Sequence, residues 1–349
     1  MKHIMNKLAA MGHRHFLIDQ NLVKINWRLT DQCNYRCPYC FMVILPGYAV
    51  DRRNEFNNIT NDKLTTLIHN MNTLYKDNVI DLTFTGGEPT LTYDFINVFF
   101  RALTEIHNLK YVRLHTNLAL PISFWKEFSE RYIIFADKIK HISKIDVECS
   151  MHLDYVNTTS AIDEYINKVH ILENAGINVN NTVMINSRLC DIAYKTYNIV
   201  KDKLKNKTRL RLTVDLITGK SDLKLNETED EKNPMLFYLY EDGSIKFKTQ
   251  NEIVSNNINR WTGLLCNAGK TMLNIAPDGL GLGAEYIDRC TDNPCYINLY
   301  NCEVDEGFKP IICKHKYCIH PGDFQILKLN AGKYKQWINS GVFIENKNE

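Results

Sequence analysis

The stretch Cys33-Asn34-Tyr35-Arg36-Cys37-Pro38-Tyr39-Cys40 constrains this chain more than any other. Three thiols spaced Cys-x3-Cys-x2-Cys follow directly on Val23 to Thr30 (VKINWRLT), whose alternation of apolar and polar residues reads as a strand. Thiolates this close in sequence can converge on three corners of a cubane iron–sulfur cluster, leaving a fourth iron open to a small molecule. The alternative metal is a structural zinc ion, which wants four ligands. No fourth Cys or His lies close by, so His3, His13 or His15 would have to reach the site through space.

Composition favours metal over disulfides. The chain has 11 cysteines in 349 residues, with 44% hydrophobic and 23% charged residues. A chain of this size and balance can bury a core without covalent staples. The opening run MKHIMNKLAAMGHRHF is broken by charges and histidines and makes a poor signal peptide. No apolar run approaches the ~18–20 residues that span a bilayer. The expected location is therefore cytoplasmic. A net charge of +2 gives no electrostatic case for nucleic acid or a membrane surface as partners. The cysteines gather near the two ends, with Cys149 and Cys190 alone between them, which points to two separate metal sites.

Periodicity gives the organisation. Residues 1–22 read as an N-terminal extension. After the cysteine loop and a long loop over 41–60, which carries Arg52 and Arg53, strands and helices alternate. Strands are expected at 79–85, 111–116, 144–150, 179–185 and 209–216. The helix bearing Leu64, Leu67, Ile68 and Met71 is capped by Thr60 or Asn61, and the next by Thr92. A later helix carries Ile162, Ile166, Val169 and Leu172 and stops near Gly176. Alternation of this kind builds a parallel sheet with right-handed crossovers. Six such units fit an incomplete barrel, although an open sheet has the same periodicity. In both, ligands bind at the C-terminal strand ends. There lie the cysteine loop, Gly86-Gly87-Glu88-Pro89, Thr116-Asn117 and Ser150-Met151-His152. Arg209 and Arg211 share one face of the sixth strand, and by the same alternation Asp215 is a candidate acid or base. Residues 220–260 read as a linker with one hairpin turning at Asp242-Gly243. A second hairpin turns at Asp278-Gly279, inside a cysteine-rich segment over 261–330, and 331–349 form a tail.

The cysteine motif, with Tyr39 before its last member and GGEP after the next strand, resembles the radical S-adenosylmethionine (SAM) superfamily over roughly residues 23–216. The resemblance implies an α/β fold, a partial (β/α)6 TIM-like barrel. It implies a [4Fe–4S] cluster on Cys33, Cys37 and Cys40 whose open iron chelates SAM. Reductive cleavage of the sulfonium would then give a 5′-deoxyadenosyl radical that takes hydrogen from a C–H bond, with electrons from a donor such as flavodoxin or ferredoxin. Tyr39 would contact adenine, and Gly86, Gly87 and Glu88 the methionine end. Thr116, Asn117, Ser150 and His152 would contact ribose and carboxylate. Residues 261–329 resemble the superfamily's SPASM or twitch auxiliary extensions, through Cys266-Asn267-Ala268-Gly269 and the Pro277-Asp278-Gly279 hairpin. The full SPASM pattern expects a cysteine where Ala284 stands and a Cys-x2-Cys that is absent. The resemblance thus implies one auxiliary [4Fe–4S] cluster, held by Cys266, Cys290, Cys313 and Cys318 in a small hairpin-rich domain. Cys295 and Cys302 remain candidates for hydrogen donation or packing, and zinc stays open for this set. The substrate implied is a ribosomal peptide to be oxidised, cross-linked or epimerised, or alternatively a small molecule such as a sugar or antibiotic precursor. A non-catalytic metal-binding protein is the reading from another class.

Overall fold

The computed structural model describes residues 22–40, 59–204, 207–213 and 221–223, together with short segments of the C-terminal third at 234–239, 245–249, 255–256, 262, 264–266, 272–282, 297–301, 311–312 and 328–330. The alternation seen in the sequence is realised. Strands β1 (Leu22–Thr30), β2 (Val79–Gly86), β3 (Leu109–Thr116), β4 (Lys144–Met151), β5 (Asn178–Ile185) and β6 (Lys207–Leu212) pair in parallel in chain order. Between consecutive strands run helices α1 (Asn61–Leu74), α2 (Phe95–Glu105), α3 (Ile122–Phe135), α4 (Thr159–Asn174) and α5 (Cys190–Lys203). This is the partial TIM-like barrel expected from the pattern. Among the described residues no helix is long and apolar enough to cross a membrane.

Local chemistry sets the helix limits. The Thr60 hydroxyl accepts the Lys63 amide and caps α1, and the Thr158 hydroxyl accepts the Ala161 amide and caps α4. Gly176, at φ +83, ends α4 as its C′ residue, with the Ile177 amide returning to the Leu172 carbonyl. The expected cap of α2 at Thr92 is displaced. A 3₁₀ turn over Pro89–Leu91 intervenes, and Asp94 takes the cap position in a left-handed conformation.

The sheet has two chemically opposite faces. Ile25, Trp27, Leu29, Ile80, Leu82 and Phe84 are fully buried beneath the helices. Burial of each such side chain is worth about 1.5–3 kcal/mol. An aromatic cluster continues this layer, with Phe84 and Phe99 4.8 Å apart and Phe99 and Phe128 5.1 Å apart. The alternate residues point into the barrel, and they are polar: Lys24, Asp81, Arg113, Asp146, Glu148 and Arg209.

The sheet extends further than the six strands read from the sequence. Strand β10 (Met272–Ile275) lies parallel to β1 on its free edge, pairing Lys24 with Met272 and Trp27 with Ile275. Its hairpin partner β11 (Leu280–Leu282) and then β12 (Ile297–Asn298) continue antiparallel, giving nine strands of which seven are parallel. The second expected hairpin therefore forms, and it completes the main sheet. The first expected hairpin is present as β7 (Pro234–Leu239) and β8 (Ile245–Thr249). Strand β9 (Leu264–Cys266) lies between β13 (Ile311–Ile312) and β14 (Lys328–Asn330).

The β10–β11 turn is tight. Gly279 sits at φ +85, and a Cβ there would lie 2.2 Å from Cδ2 of Tyr300. The Tyr300 ring is held in turn, since Nε1 of Trp27 donates to its hydroxyl at 3.3 Å. Gly279→Ala is expected to destabilise the fold by about 1–3 kcal/mol. Equilibrium denaturation checks this, and an unchanged midpoint would remove the tight-turn explanation.

Candidate functional site: three thiols at the barrel mouth

The cysteine loop leaves the C-terminal end of β1. Cys37 is buried, while Cys33 and Cys40 are partly exposed. The Cys40 amide donates to the Cys37 carbonyl at 2.9 Å, closing a turn over Pro38 and Tyr39. Arg36 pins the loop's start by donating from Nη1 to the Cys33 carbonyl at 2.8 Å. Tyr35 stacks on Tyr155 with ring centroids 4.0 Å apart, and the Tyr155 hydroxyl accepts the Arg36 amide at 2.5 Å. Tyr155 carries no sequence signal of its own; the turn after β4, closed by the Tyr155 amide on the His152 carbonyl at 2.9 Å, delivers it.

The GGEP turn presses on this loop from below. The Gly87 amide donates to the Thr30 carbonyl at 2.8 Å and the Glu88 amide to the Gln32 carbonyl at 2.7 Å. A Cβ on Gly86 would stand 2.3 Å from the Thr30 oxygen, and one on Gly87 would stand 2.2 Å from that of Gln32. Only glycine permits this approach.

Glu88 is 1% exposed. Its Oε1 accepts the hydroxyls of Thr90 at 2.6 Å and Thr116 at 2.8 Å, and the Thr90 amide at 3.3 Å. Its Oε2 accepts the Asn117 amide at 2.7 Å. Burial pushes the carboxyl's pKa up, and these donors oppose it. Four donors suit a carboxylate. Glu88 and Thr116, read from the sequence as ligand contacts, thus lie in a buried brace between the GGEP turn and the end of β3.

The turn after β3 is strained. Leu118 is buried at φ +54, a region that costs a non-glycine residue about 1–3 kcal/mol. Its amide donates to the Thr116 hydroxyl at 3.1 Å, and its carbonyl accepts from Nζ of the buried Lys168 at 3.0 Å. A hydrogen bond from a charged group is worth about 1.5–3 kcal/mol, enough to hold the turn. Neither Leu118 nor Lys168 is visible as a site residue from sequence pattern.

On the other side of the mouth, the Tyr39 hydroxyl lies 2.8 Å from Nδ1 of His152 and also bonds to the Cys37 thiol. Burial lowers the pKa of His152 to about 4, leaving the ring neutral. Ser150 and His152 follow the inward parity of β4, whereas Cys149 faces the core and is fully buried. Asp154 pairs with Arg188 at the rim.

Below the mouth lies a polar interior. Arg209 donates to Glu148 at 3.0 Å and to the Thr182 hydroxyl at 2.9 Å, and Arg113 donates to Asp81 at 2.9 Å. Asn180 donates to the other Glu148 oxygen at 3.0 Å. His115 sits on this inner face yet is exposed, so it lines a hollow. Its pKa is lowered to about 3, by burial among protein groups first and then by Arg113, Arg211 and Arg209.

Burial pushes Cys33 up to about 11 and Cys37 up to about 12, so the bare loop carries thiols. A bound cation is the countercharge that deprotonates such groups. Among the described residues no three Cys, His, Asp or Glu side chains converge as a single-ion site. The Cys33 sulfur accepts the Tyr35 amide at 3.4 Å, as a cluster thiolate would. The residues fit the group.

The fold and the site define a partial-barrel protein with a three-thiol loop at the C-terminal mouth of its strands. Residues 27–188 match the Radical SAM superfamily, and this part of the chain is a radical SAM domain. Such a domain implies a [4Fe–4S] cluster and SAM. The chain is 31% identical over 102 residues to GTP 3′,8-cyclase of Haemophilus influenzae (strain PittGG), covering 28% of each chain. It is 33% identical over 104 residues to the enzyme of that name from Actinobacillus succinogenes, again covering 28% of each. The chain thus spans little more than a quarter of the length of the curated relatives it matches. Among solved structures it resembles native anSMEcpe with bound AdoMet and Cp18Cys peptide, at 13% identity and a TM-score of 0.46, over 93% of this chain and 84% of that one.

The residues expected to hold an auxiliary cluster stand apart from this match. The backbone of Cys266 lies in β9, opposite Ile311 and Lys328. Cys290, Cys295, Cys302, Cys313 and Cys318 lie outside the described residues, as do Asp215, Arg52 and Arg53.

Two outcomes are expected. Gly87→Ala should displace the cysteine loop and abolish most iron loading while costing the fold about 1–3 kcal/mol; iron content equal to wild type would show that the close approach is dispensable. The depressed pKa of His115 means that the unfolded chain binds a proton near pH 6.5 that the folded chain refuses until about pH 3. Stability should fall as pH drops through that window. His115→Gln, which leaves Arg113, Arg209, Arg211 and Glu148 in place, should flatten the fall in a thermal-denaturation series. An unaltered profile would assign the pH dependence elsewhere.

Proposed function

We infer that this chain is an enzyme that cleaves SAM reductively at the Cys33–Cys37–Cys40 loop and takes a hydrogen atom from a substrate held in the barrel. The observation that carries this is the convergence of the GGEP turn and the Thr116-Asn117 turn on the cysteine loop. When bound, the cluster and SAM supply a 5′-deoxyadenosyl radical. The protein's own part is to hold the loop against Thr30 and Gln32, to keep His152 neutral beside Tyr39, and to brace the loop's outer side with the stacked pair Tyr35 and Tyr155. Tyr39, Ser150 and His152 remain suited to SAM, and backbone carbonyls beside Gly86 and Gly87 suit its ammonium better than the enclosed Glu88 does. An electron donor of the flavodoxin or ferredoxin type would serve the loop.

For the substrate, the interior favours a small anionic molecule over a ribosomal peptide. Arg113 and Arg209 stand inside the barrel on ion pairs, and Arg211 acts electrostatically on both His115 and His152. Arg211 thus lies within electrostatic range of both histidines. Guanidinium groups at such a position recognise carboxylate or phosphate. The GTP-named relatives agree with this class, although they share only part of their length with the chain.

Anaerobic reconstitution with iron, sulfide, dithionite and SAM is expected to yield 5′-deoxyadenosine, and Cys37→Ala to yield none; no product from wild type would refute the assignment. About four irons per chain rather than about eight would remove the auxiliary cluster on Cys266, Cys290, Cys313 and Cys318. GTP or inorganic pyrophosphate should bind saturably, and Arg211→Gln should weaken that binding about tenfold, the loss of one charged hydrogen bond. Modification of a peptide without binding of either anion would return the choice to peptide chemistry.

A further inference from the structure

Asn117 has a side chain placed with more care than contact with a transient ligand requires. Its Oδ1 accepts the Ala119 amide at 2.9 Å, which fixes the amide's orientation. The NH2 group is thereby turned toward the cysteine loop, where it lies 2.9 Å from Oδ1 of Asn34 and 3.8 Å from Sγ of Cys33. An amide nitrogen carries two protons, so both contacts can be made at once. The backbone beneath is fixed from both sides. Glu88 accepts the Asn117 amide, and the next residue is the strained Leu118, held by Thr116 and Lys168. Strain persists in a fold where surrounding contacts over-determine it, and such sites cluster where geometry matters to function.

We propose that Asn117 is a positioning residue for the cluster, donating a hydrogen bond to the Cys33 sulfur and so setting the cluster's reduction potential. The proposal rests on the reading of Cys33, Cys37 and Cys40 as cluster ligands. The Cys33 sulfur would then have two N–H donors, the Tyr35 amide and the Asn117 side chain. Donors to a cluster sulfur stabilise the more negative, reduced state and raise the potential. The brace at Glu88 acquires a purpose under this account, because it holds the end of β3 at a fixed height beside the loop. Asn34 is the second recipient, and its contact keeps the amide from swinging away from the sulfur.

The test is a redox titration of the reconstituted full chain, followed by electron paramagnetic resonance. The signal that changes on adding SAM identifies the cluster on this loop. Asn117→Asp keeps an oxygen to accept the Ala119 amide and replaces the donor with a negative charge. It should retain wild-type iron content while the ratio of reduced to oxidised cluster, at a fixed potential, falls about tenfold, or about 59 mV for a one-electron couple. Should the aspartate variant lose the cluster, Asn117→Ser decides. Its hydroxyl can still accept from Ala119 but is too short to reach the sulfur, and the same direction of shift is expected. Full iron content with a potential like that of wild type in the decisive variant would overturn the proposal and leave the cluster reading intact. A wild-type chain that takes up no iron would overturn the cluster reading itself, and this inference with it.

Discussion

A single buried carboxylate joins the parts of this mouth. Glu88 is enclosed by donors from its own turn and from the end of β3, while its backbone amide reaches the first residues of the cysteine loop. Removing a charge from water is costly unless hydrogen bonds replace the lost hydration. Here they do, on both oxygens. The arrangement makes the three strand ends interdependent, because a shift in any one of them would strip a donor from the charge. Flexible loops could not offer such a constraint, and a cluster loop needs one, since its thiols must keep their spacing through changes of charge.

The sheet separates stability from chemistry by the pleat alone. One parity of each strand is apolar and fills the layer beneath the helices, where the rings of Trp27, Phe84 and Phe99 pack on one another. The other parity carries ion pairs such as Arg113–Asp81 and Arg209–Glu148 into a hollow that also admits His115. Charges inside a low-dielectric wall exert larger fields than they would on the surface. Burial first, and then the three arginines, hold the His115 imidazole neutral far below its ordinary range. An interior built this way is tuned by a few side chains and leaves the core untouched.

Much of the fold was legible because period and punctuation agree. The strand beginning near Val23, the Thr60 cap and the glycine that ends α4 are local features, written in a few adjacent residues. The strand next to β1 was not legible in the same way. Met272 to Ile275 looks like half of a local hairpin, and nothing nearby in sequence says that its other edge meets a strand almost 250 residues earlier. The site divides along the same line. Cysteine spacing and the paired glycines announce themselves, since no other residues would serve. The brace does not, because Glu88 and Thr116 at strand ends look the same whether they face a ligand or each other. Lys168 is read from sequence as one more helix lysine, and only its reach to the Leu118 carbonyl gives it a part.

The neighbourhood of β1 and β10 has a consequence for the life history of the chain. The strand that leads into the cysteine loop has one edge covered by β2 and, among the described residues, the other covered by β10, from the last quarter of the sequence. During synthesis, that second edge cannot pair with β10 until residues 272–275 have been made. An uncovered strand edge is a template for mispairing. Pairing of β10 then removes that edge, so the strand that leads into the cysteine loop gains its second neighbour from a segment almost 250 residues further along the chain.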